Sequence, residues 1–299
     1  MKSIKAVIGQ IYPTLGNVER NVSMHLEKIG EAVREQADLI VFPELGLTGY
    51  QLRDMAFEIA MTLSDEPVRR LVEASKEIDI VFSFVEESRE HIFYITAVYA
   101  SQGKILHVHR KVYLPTYGMF EEMRHFGRGD RFRAFETRFG RTGLLICEDA
   151  WHPSAPFLLS QDGAEMLIVI ASGPARGASA EPMIGSERSW YSMLGTYAQF
   201  FTSFILFANR VGFEDGVTFF GRSALFDPFG RVQAQAKALE PDMLTVHIEN
   251  KRIRRARYMM PLLRDENLDV TIRELSRIRE SRLSADWLDM TNRWDSSEE

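Results

Sequence analysis

Apolar residues along the chain alternate between two spacings, which predict strands and helices in turn. Residues 5–11 (KAVIGQI) fit a first strand. A helix follows Asn17, a suitable N-cap residue, because apolar residues then recur every three or four positions. These positions are Val18, Val22, Leu26, Ile29 and Val33. Residues 38–42 (DLIVF) form a continuous apolar run rich in β-forming residues, which predicts a strand buried on both faces.

The same alternation continues to about residue 250. Further strands are predicted at 78–86, 92–100, 104–110, 142–147, 165–172, 203–209 and 243–249. Further helices are predicted at 67–77, from about Pro153 and at 187–200. This mixture of βα units and hairpins predicts an α/β fold without repeats.

We see no domain boundary before about residue 255. The sequence therefore predicts one domain over 1–255 and a C-terminal arm over 256–299, whose basic and aromatic residues favour packing on a partner subunit. The basic run 252–257 (RIRRAR) is short and has acidic neighbours, so we expect it to form salt bridges.

Composition and charge narrow the class of protein. The net charge of −6 argues against binding to nucleic acid. The N-terminus has no apolar stretch of the length that a signal peptide needs, and the run at 204–209 is too short to cross a bilayer. A single cysteine allows no intrachain disulfide. We therefore expect a cytoplasmic protein that binds neither membrane nor nucleic acid.

Reactive side chains follow several of the predicted strands. Cys147 ends the apolar run TGLLIC, Glu44 follows DLIVF and a proline, and Lys111 with Glu122 follows the strand at 104–110. A thiol that attacks an amide needs a base, and the oxyanion that forms needs a cation or backbone donors. A lone cysteine is also common as a small buried residue, and a charged residue at a strand end is commonly solvated. These residues alone leave both interpretations open.

Three segments, in this order, resemble the nitrilase superfamily of carbon–nitrogen hydrolases over about residues 4–250. They are PELGLTGY (43–50), HRKVYLP (109–115) and LLICEDAW (144–151). The resemblance implies a four-layer αββα sandwich, a homodimer or higher homo-oligomer, and catalysis by Glu44, Lys111 and Cys147. We expect neither a cofactor nor a metal.

Two stretches further resemble the glutaminase domains of glutamine-dependent NAD synthetases: 114–126 (LPTYGMFEEMRHF) and 146–151 (ICEDAW). That match implies that Glu122 is a second catalytic glutamate and that Tyr117 borders the substrate pocket. Glu121 is the rival for the first role, but counting back from Gly129-Asp130 favours Glu122. Residues 170–179 (IASGPARGAS) differ from that subgroup, and neither a GxxxxGK[ST] nor an SGGxDS loop occurs in the sequence, so we do not expect a complete synthetase.

The implied reaction is hydrolysis of a small linear amide through a thioester on Cys147. Lys111 and the backbone N–H of Glu148 would hold the oxyanion. Three alternatives remain open: hydrolysis of an N-carbamoyl compound, a glutaminase subunit that supplies ammonia to a separate synthetase, and an inactive scaffold. A true nitrilase is less favoured, because Glu148 stands where those enzymes usually carry tryptophan.

Several histidines and aromatic residues have simpler interpretations. His107, His109 and His125 are candidate metal ligands, but polar residues on a half-exposed strand explain the first two. Cys147 with His152 resembles a papain-like pair, although a helix from Pro153 would aim His152 away. The aromatic residues between 190 and 207 are expected in the core and at a subunit interface.

Overall fold

The strands form two six-stranded mixed sheets. The structure is a computed structural model that describes residues 3–176 and 185–283. The first sheet has the order β14 (Asp242–Ile248), β1 (Ile4–Gln10), β2 (Leu39–Val41), β3 (Asp79–Glu87), β4 (Phe93–Ser101), β5 (Lys104–Arg110). The second has the order β13 (Val232–Gln235), β12 (Ala224–Phe226), β9 (Phe204–Asn209), β8 (Met166–Ala171), β7 (Gly140–Ile146), β6 (Phe135–Thr137). In each sheet three adjacent strands are parallel and the strands outside them are antiparallel.

Two pairs of helices complete the layers. The buried faces of α1 (Val18–Arg34) and α3 (Glu66–Ala74) pack with one face of the first sheet in a separate apolar cluster. The main core contains side chains of both sheets together with α5 (Ser154–Gln161) and α6 (Gly185–Phe200). Successive side chains of β1 point to opposite faces of the sheet. Val7 packs in the cluster that contains α1 and α3, and Ile8 packs in the main core. The predicted αββα sandwich is confirmed.

Two features near the site were not predicted. One is the hairpin of β10 (Val211–Glu214) and β11 (Val217–Phe220), and the other is the helical turn α4 (Glu122–His125). Short elements of four residues carry too little periodicity to be read from a sequence. The other helices before residue 260 are α2 (Ala56–Ile59) and α7 (Asn250–Met259), with two 3-10 turns at Arg53–Met55 and Cys147–Trp151.

The chain divides into two units. The first ends at Met260 and includes α7, in which Arg252 forms an ion pair of 2.8 Å with Asp227. The second begins at Pro261 and includes α8 (Leu262–Asp265) and α9 (Leu268–Leu283). Docking of the arm on a partner subunit stays a prediction. Across residues 3–176 and 185–283, none of the helices combines the length and apolar character that a membrane span requires.

Strand direction brings distant residues to one edge of the sandwich. Because β3, β4 and β5 are successively antiparallel, β5 runs in the same direction as β2. Glu44 and Lys111 therefore follow the carboxyl ends of two strands of the first sheet. Cys147 and Ser172 directly follow β7 and β8, which are parallel neighbours in the second sheet. This arrangement is the one that places ligands outside the carboxyl ends of strands in α/β proteins.

Candidate active site

A buried lysine lies between two buried carboxylates. Lys111 Nζ donates to Glu44 Oε1 and to Glu122 Oε1, at 2.7 Å in each case. Burial alone would lower the pKa of Lys111, but the carboxylates of Glu122 and Glu44 raise it well above its ordinary value. The lysine is therefore an ammonium group in the resting site. We call Glu44, Lys111 and Glu122 the charged cluster.

Cys147 faces this cluster from the second sheet. It is 7% exposed, and its φ of +48° lies in the left-handed region, which is uncommon for a residue with a side chain. Burial raises the pKa of the Cys147 thiol well above its ordinary value, with a further contribution from Glu44, while Lys111 and the Ser172 backbone N–H oppose the shift. The sulfur is therefore held as a thiol beside a carboxylate that can take its proton.

Two further residues fix the orientation of the carboxylates. The Ser172 backbone N–H donates to Glu44 Oε2 at 2.8 Å, and the Tyr50 hydroxyl donates to Glu122 Oε1 at 2.5 Å. Burial, opposed by Lys111 and increased by Glu44, raises the pKa of Glu122 to about 7. Among the residues that the structure describes, nothing hydrogen-bonds to Glu122 Oε2. That oxygen is thus available to a substrate or a water.

One carboxylate ties the lysine segment to the cysteine turn. Asp149 Oδ1 accepts the backbone N–H groups of Val112 and Tyr113, both at 3.0 Å. Its Oδ2 accepts the Ile146 N–H at 3.1 Å and lies 2.8 Å from His109 Nε2, which donates to it. Asp149 therefore fixes the chain immediately after Lys111 and immediately before Cys147.

A second carboxylate directly follows Cys147 in the chain. The Tyr117 hydroxyl lies 3.0 Å from each carboxylate oxygen of Glu148. Tyr117 is 56% exposed, yet desolvation and Glu148 raise its pKa to about 12, so that it remains a donor. The Arg176 guanidinium lies 5.1 Å from the centre of the neighbouring Phe120 ring. A carboxylate, a phenol and a guanidinium group thus lie near one another beside Cys147.

The structure brings together the side chains of all four residues predicted to be catalytic. Glu122, and not its exposed neighbour Glu121, contacts Lys111. The Tyr117 hydroxyl contacts Glu148, and its place beside a substrate pocket stays a prediction. The catalytic roles, and the oxyanion contact of the Glu148 N–H, stay predictions. Of the segment 170–179, residues 177–179 lie outside the described residues.

Sequence reasoning missed four residues around the site: Tyr50, Asp149, Ser172 and His109. His109, expected on a half-exposed strand, is instead buried against Asp149. His152 stacks on Tyr113, 3.6 Å between ring centres. Over the described ranges no cluster of three or more His, Cys, Asp or Glu side chains could hold a metal ion.

A cavity of about 310 Å³ adjoins the cluster. Tyr50, Phe120 and Glu122 line it, and the Arg53 and Asp215 side chains form an ion pair of 2.6 Å at its rim. Cys147 is not among its described lining residues. The cavity reaches Glu122 from the side of the 50–53 turn and is at the small end of the range for ligand sites.

Comparison with known proteins agrees with this geometry. The family model described as carbon-nitrogen hydrolase matches residues 5–258. The glutamine-dependent NAD(+) synthetase of Acinetobacter baylyi is 29% identical, covering 85% of this chain and 46% of that protein. The N-carbamoylputrescine amidase of Arabidopsis thaliana is 26% identical, covering 85% of this chain and 89% of that protein.

A solved structure shows the same fold over nearly its whole length. The carbon-nitrogen hydrolase from Helicobacter pylori G27 superposes with a TM-score of 0.78 at 25% identity, covering 89% of this chain and 96% of that one. The chain spans about half the length of the NAD synthetases that it matches. Because the family model covers most of the sequence, this chain belongs to the carbon–nitrogen hydrolase family, within the nitrilase superfamily.

Proposed function

We propose that the protein hydrolyses a small linear amide to a carboxylic acid and ammonia through a thioester on Cys147. The observation that carries this proposal is the position of Lys111 between Glu44 and Glu122, all three buried beside a buried thiol. A structural role alone would make such burial costly, since charges taken out of water stabilise a fold poorly. Perturbed ionisable groups of this kind are typical of catalytic sites.

In the first half-reaction the Cys147 sulfur attacks the amide carbon while Glu44 takes the thiol proton. The carbonyl electrons move to oxygen, and Lys111 with the Glu148 backbone N–H stabilises the resulting oxyanion. When the intermediate collapses, the C–N bond breaks and Glu44 returns the proton to the leaving nitrogen. Ammonia leaves, and the acyl group stays on sulfur.

In the second half-reaction Glu44 takes a proton from water, and the oxygen attacks the thioester carbon. Collapse of this intermediate breaks the C–S bond, releases the acid and returns the proton to sulfur. Glu122 positions Lys111 throughout and offers Oε2 to the substrate nitrogen or to the water.

The test is ammonia release from a panel of amides, N-carbamoyl compounds, nitriles and glutamine. We expect turnover of at least one small amide, and mass spectrometry of the quenched protein should show an acyl group on Cys147. If only N-carbamoyl compounds react, with carbon dioxide formed beside ammonia, the same residues serve the first alternative. If no compound of the panel released ammonia and the Cys147 thiol were unreactive, the inactive scaffold would be favoured.

A second candidate, hydrolysis of an amide that also bears an amino group and a carboxylate, has its own support. Glu148 and the Tyr117 hydroxyl suit an ammonium group, and Arg176 suits a carboxylate. Glutamine is such an amide, and the relatives named glutamine-dependent NAD(+) synthetases are consistent with it. A glutaminase subunit would co-purify with a synthetase, whereas a free amidase would not.

Replacement of Glu148 by glutamine separates these candidates. If the carboxylate holds a substrate ammonium group, E148Q should raise KM for amino-bearing amides about tenfold or more, because a charge-assisted contact is lost. The value of kcat for neutral amides should change little. A KM that rises equally for charged and neutral amides would contradict this role for Glu148. S189A on α6, which changes an exposed hydroxyl, serves as the control.

We also propose that the protein forms a homodimer. Leu158 on α5 and Phe200 at the end of α6 are each about half exposed. Burial of this layer against a second copy would cover both.

A further inference from the structure

A buried ion pair lies behind Tyr50, outside the set of residues that the proposed reaction uses. Arg210, which directly follows β9, is fully buried, and its Nη2 lies 2.5 Å from Glu214 Oε1 at the end of β10. The guanidinium also stacks over the Phe219 ring of β11, 4.3 Å from its centre. Arginine and glutamate are rarely buried without a specific purpose, because desolvation opposes their charges.

The second carboxylate oxygen of Glu214 holds the turn that contains Tyr50. Glu214 Oε2 accepts the backbone N–H groups of Tyr50 at 2.9 Å and Gln51 at 3.1 Å. Phe219 contacts the Tyr50 ring edge-on, 6.0 Å between centres. The β10–β11 hairpin thus contacts both the backbone and the ring of Tyr50.

The turn at Tyr50 lies so close to Glu214 that the preceding residue must be glycine. Gly49 has φ of +82°, and a Cβ there would lie 2.9 Å from Leu15 Cα and 3.1 Å from Glu214 Oε1. Any side chain at this position would push the turn away from Glu214. The local sequence therefore agrees with the contact between this turn and the β10–β11 hairpin.

Tyr50 connects the pair to the charged cluster. Its hydroxyl donates to Glu122 Oε1, the same oxygen that accepts from Lys111 Nζ. A shift of the 50–51 turn would remove this donor and release Glu122 to move with the lysine. The path runs from Arg210 to Glu214, to Tyr50, to Glu122 and to Lys111, and each step is a hydrogen bond, an ion pair or both.

We propose that Glu214, anchored by Arg210, is a positioning residue for the hydrolytic site, and that it acts through the Tyr50 hydroxyl on Glu122 and Lys111. The inference rests on the proposed function. It assigns the hairpin β10–β11 a role in setting the geometry of the cluster rather than only in closing the sandwich. Neither Glu214 nor Arg210 touches the reacting atoms.

The test is a double-mutant cycle of Glu214→Gln and Tyr50→Phe. Each single variant should lower kcat about tenfold or more, because small displacements of catalytic groups are costly. KM should stay within about twofold. If Glu214 acts through the hydroxyl, adding E214Q to Y50F should cost less than about a further twofold, since coupled residues do not contribute independently. If the reductions in kcat of the two single variants multiply fully in the double variant, the proposal is wrong.

The pH profile gives a readout that loss of packing would not move. Glu122 faces Lys111, Glu44, Tyr50 and the Cys147 thiol, and the Tyr50 hydrogen bond lowers its pKa, which is about 7 in the intact site. Loss of that bond should move the acid limb of kcat/KM to higher pH in both single variants. An unmoved limb in E214Q beside a shifted limb in Y50F would show that Glu214 does not act through Tyr50.

Asp227→Asn is the matched control. Asp227 is also a buried carboxylate that accepts two backbone N–H groups, of Phe229 and Arg231, and pairs with an arginine, Arg252. It lies in the turn between β12 and β13, away from the cluster. We expect D227N to lower thermal stability as E214Q does, but to leave kcat and the pH profile unchanged. An equal loss of kcat in D227N would mean that E214Q acts only through stability.

The cycle is also read without a substrate, by alkylation of Cys147 with iodoacetamide followed by intact mass. We expect slower alkylation in E214Q and in Y50F, because Lys111 lowers the pKa of the Cys147 thiol only while it keeps its present position. In the double variant the two reductions in rate should not multiply. This result would stand even if no amide of the panel were cut, so that failure of the proposed function remains distinguishable. Unchanged alkylation and unchanged kcat in E214Q would overturn the inference. If E214Q does not fold, R210M/E214Q removes both charges together, and the same outcomes apply.

Discussion

Replacement of Cys147 by alanine is expected to reduce ammonia release about 10⁴-fold or more, because loss of the nucleophile removes the covalent route. Substrate binding should persist, since Glu148 and Tyr117 remain in place. Steady-state kinetics on the best amide of the panel, with calorimetry for binding, measures both.

The fold of this variant should be close to that of the wild type. Alanine removes one sulfur atom from a site that is already 7% exposed, which costs on the order of 1 kcal/mol. The left-handed φ of residue 147 strains alanine as it strains cysteine, so the backbone conformation is not the difference. Cys147→Ser is a stricter companion, because it keeps a nucleophilic oxygen whose proton is much harder to remove. More than about 1% of wild-type activity in either variant would contradict the thioester route.

The four catalytic candidates came from the sequence through resemblance to a family, since the residues alone left a catalytic and a structural interpretation open. Cys147, Glu44 and Lys111 are reactive side chains at strand ends, and ordered motifs surround them. The alternating pattern also located most strands, since buried runs such as 38–42 and 203–209 are continuous and apolar. The choice of the αββα sandwich came from resemblance, because periodicity cannot tell which sheets stack.

Asp149 and Glu214, to which sequence reasoning gave no role, act through backbone contacts across long separations. Asp149 accepts N–H groups of Val112 and Tyr113, 37 and 36 positions away, and Glu214 accepts that of Tyr50, 164 positions away. Nothing in the type of residue reveals such a partner before the fold is known. The one available signal was position, since Asp149 lies two residues after the nucleophile and Tyr50 ends the first motif.

The cluster also explains why burial and function are coupled in this fold. Lys111 satisfies two carboxylates that would otherwise repel each other, and those carboxylates keep the lysine charged. Each charge therefore lowers the free-energy cost of burying the other two. Removal of the lysine should for this reason affect both activity and stability, in a way that depends on pH.

Lys111→Met keeps an unbranched apolar side chain one atom shorter than lysine and removes the charge. We expect kcat to fall at least about 10²–10³-fold, because the oxyanion loses its cationic donor. Breaking a buried pair by removal of one partner should also cost about 3–5 kcal/mol of the free energy of unfolding. Lys28→Met is the matched control, since Lys28 pairs with Glu31 at 2.8 Å on the surface of α1 and should affect neither quantity.

The pH dependence of this loss has a definite sign. Burial already raises the pKa of Glu122 from 4.5 to about 7, so its ionisation costs folding free energy, and the stability that it contributes falls as pH rises through that interval. Without Lys111 the pKa rises further, and the interval extends upward. The difference in unfolding free energy between wild type and K111M should therefore be smaller at pH 5.5 than at pH 8, as chemical denaturation at both values would measure.

Two results would contradict this view of the charged cluster. If K111M kept kcat within tenfold of the wild type, the oxyanion would have to be held by backbone donors alone. If its loss of stability were the same at pH 5.5 and pH 8, Glu122 would not be the group that titrates. K111M inactive at both values and most destabilised at pH 8 is the outcome that the hydrogen bonds of Lys111 to Glu44 and Glu122 require.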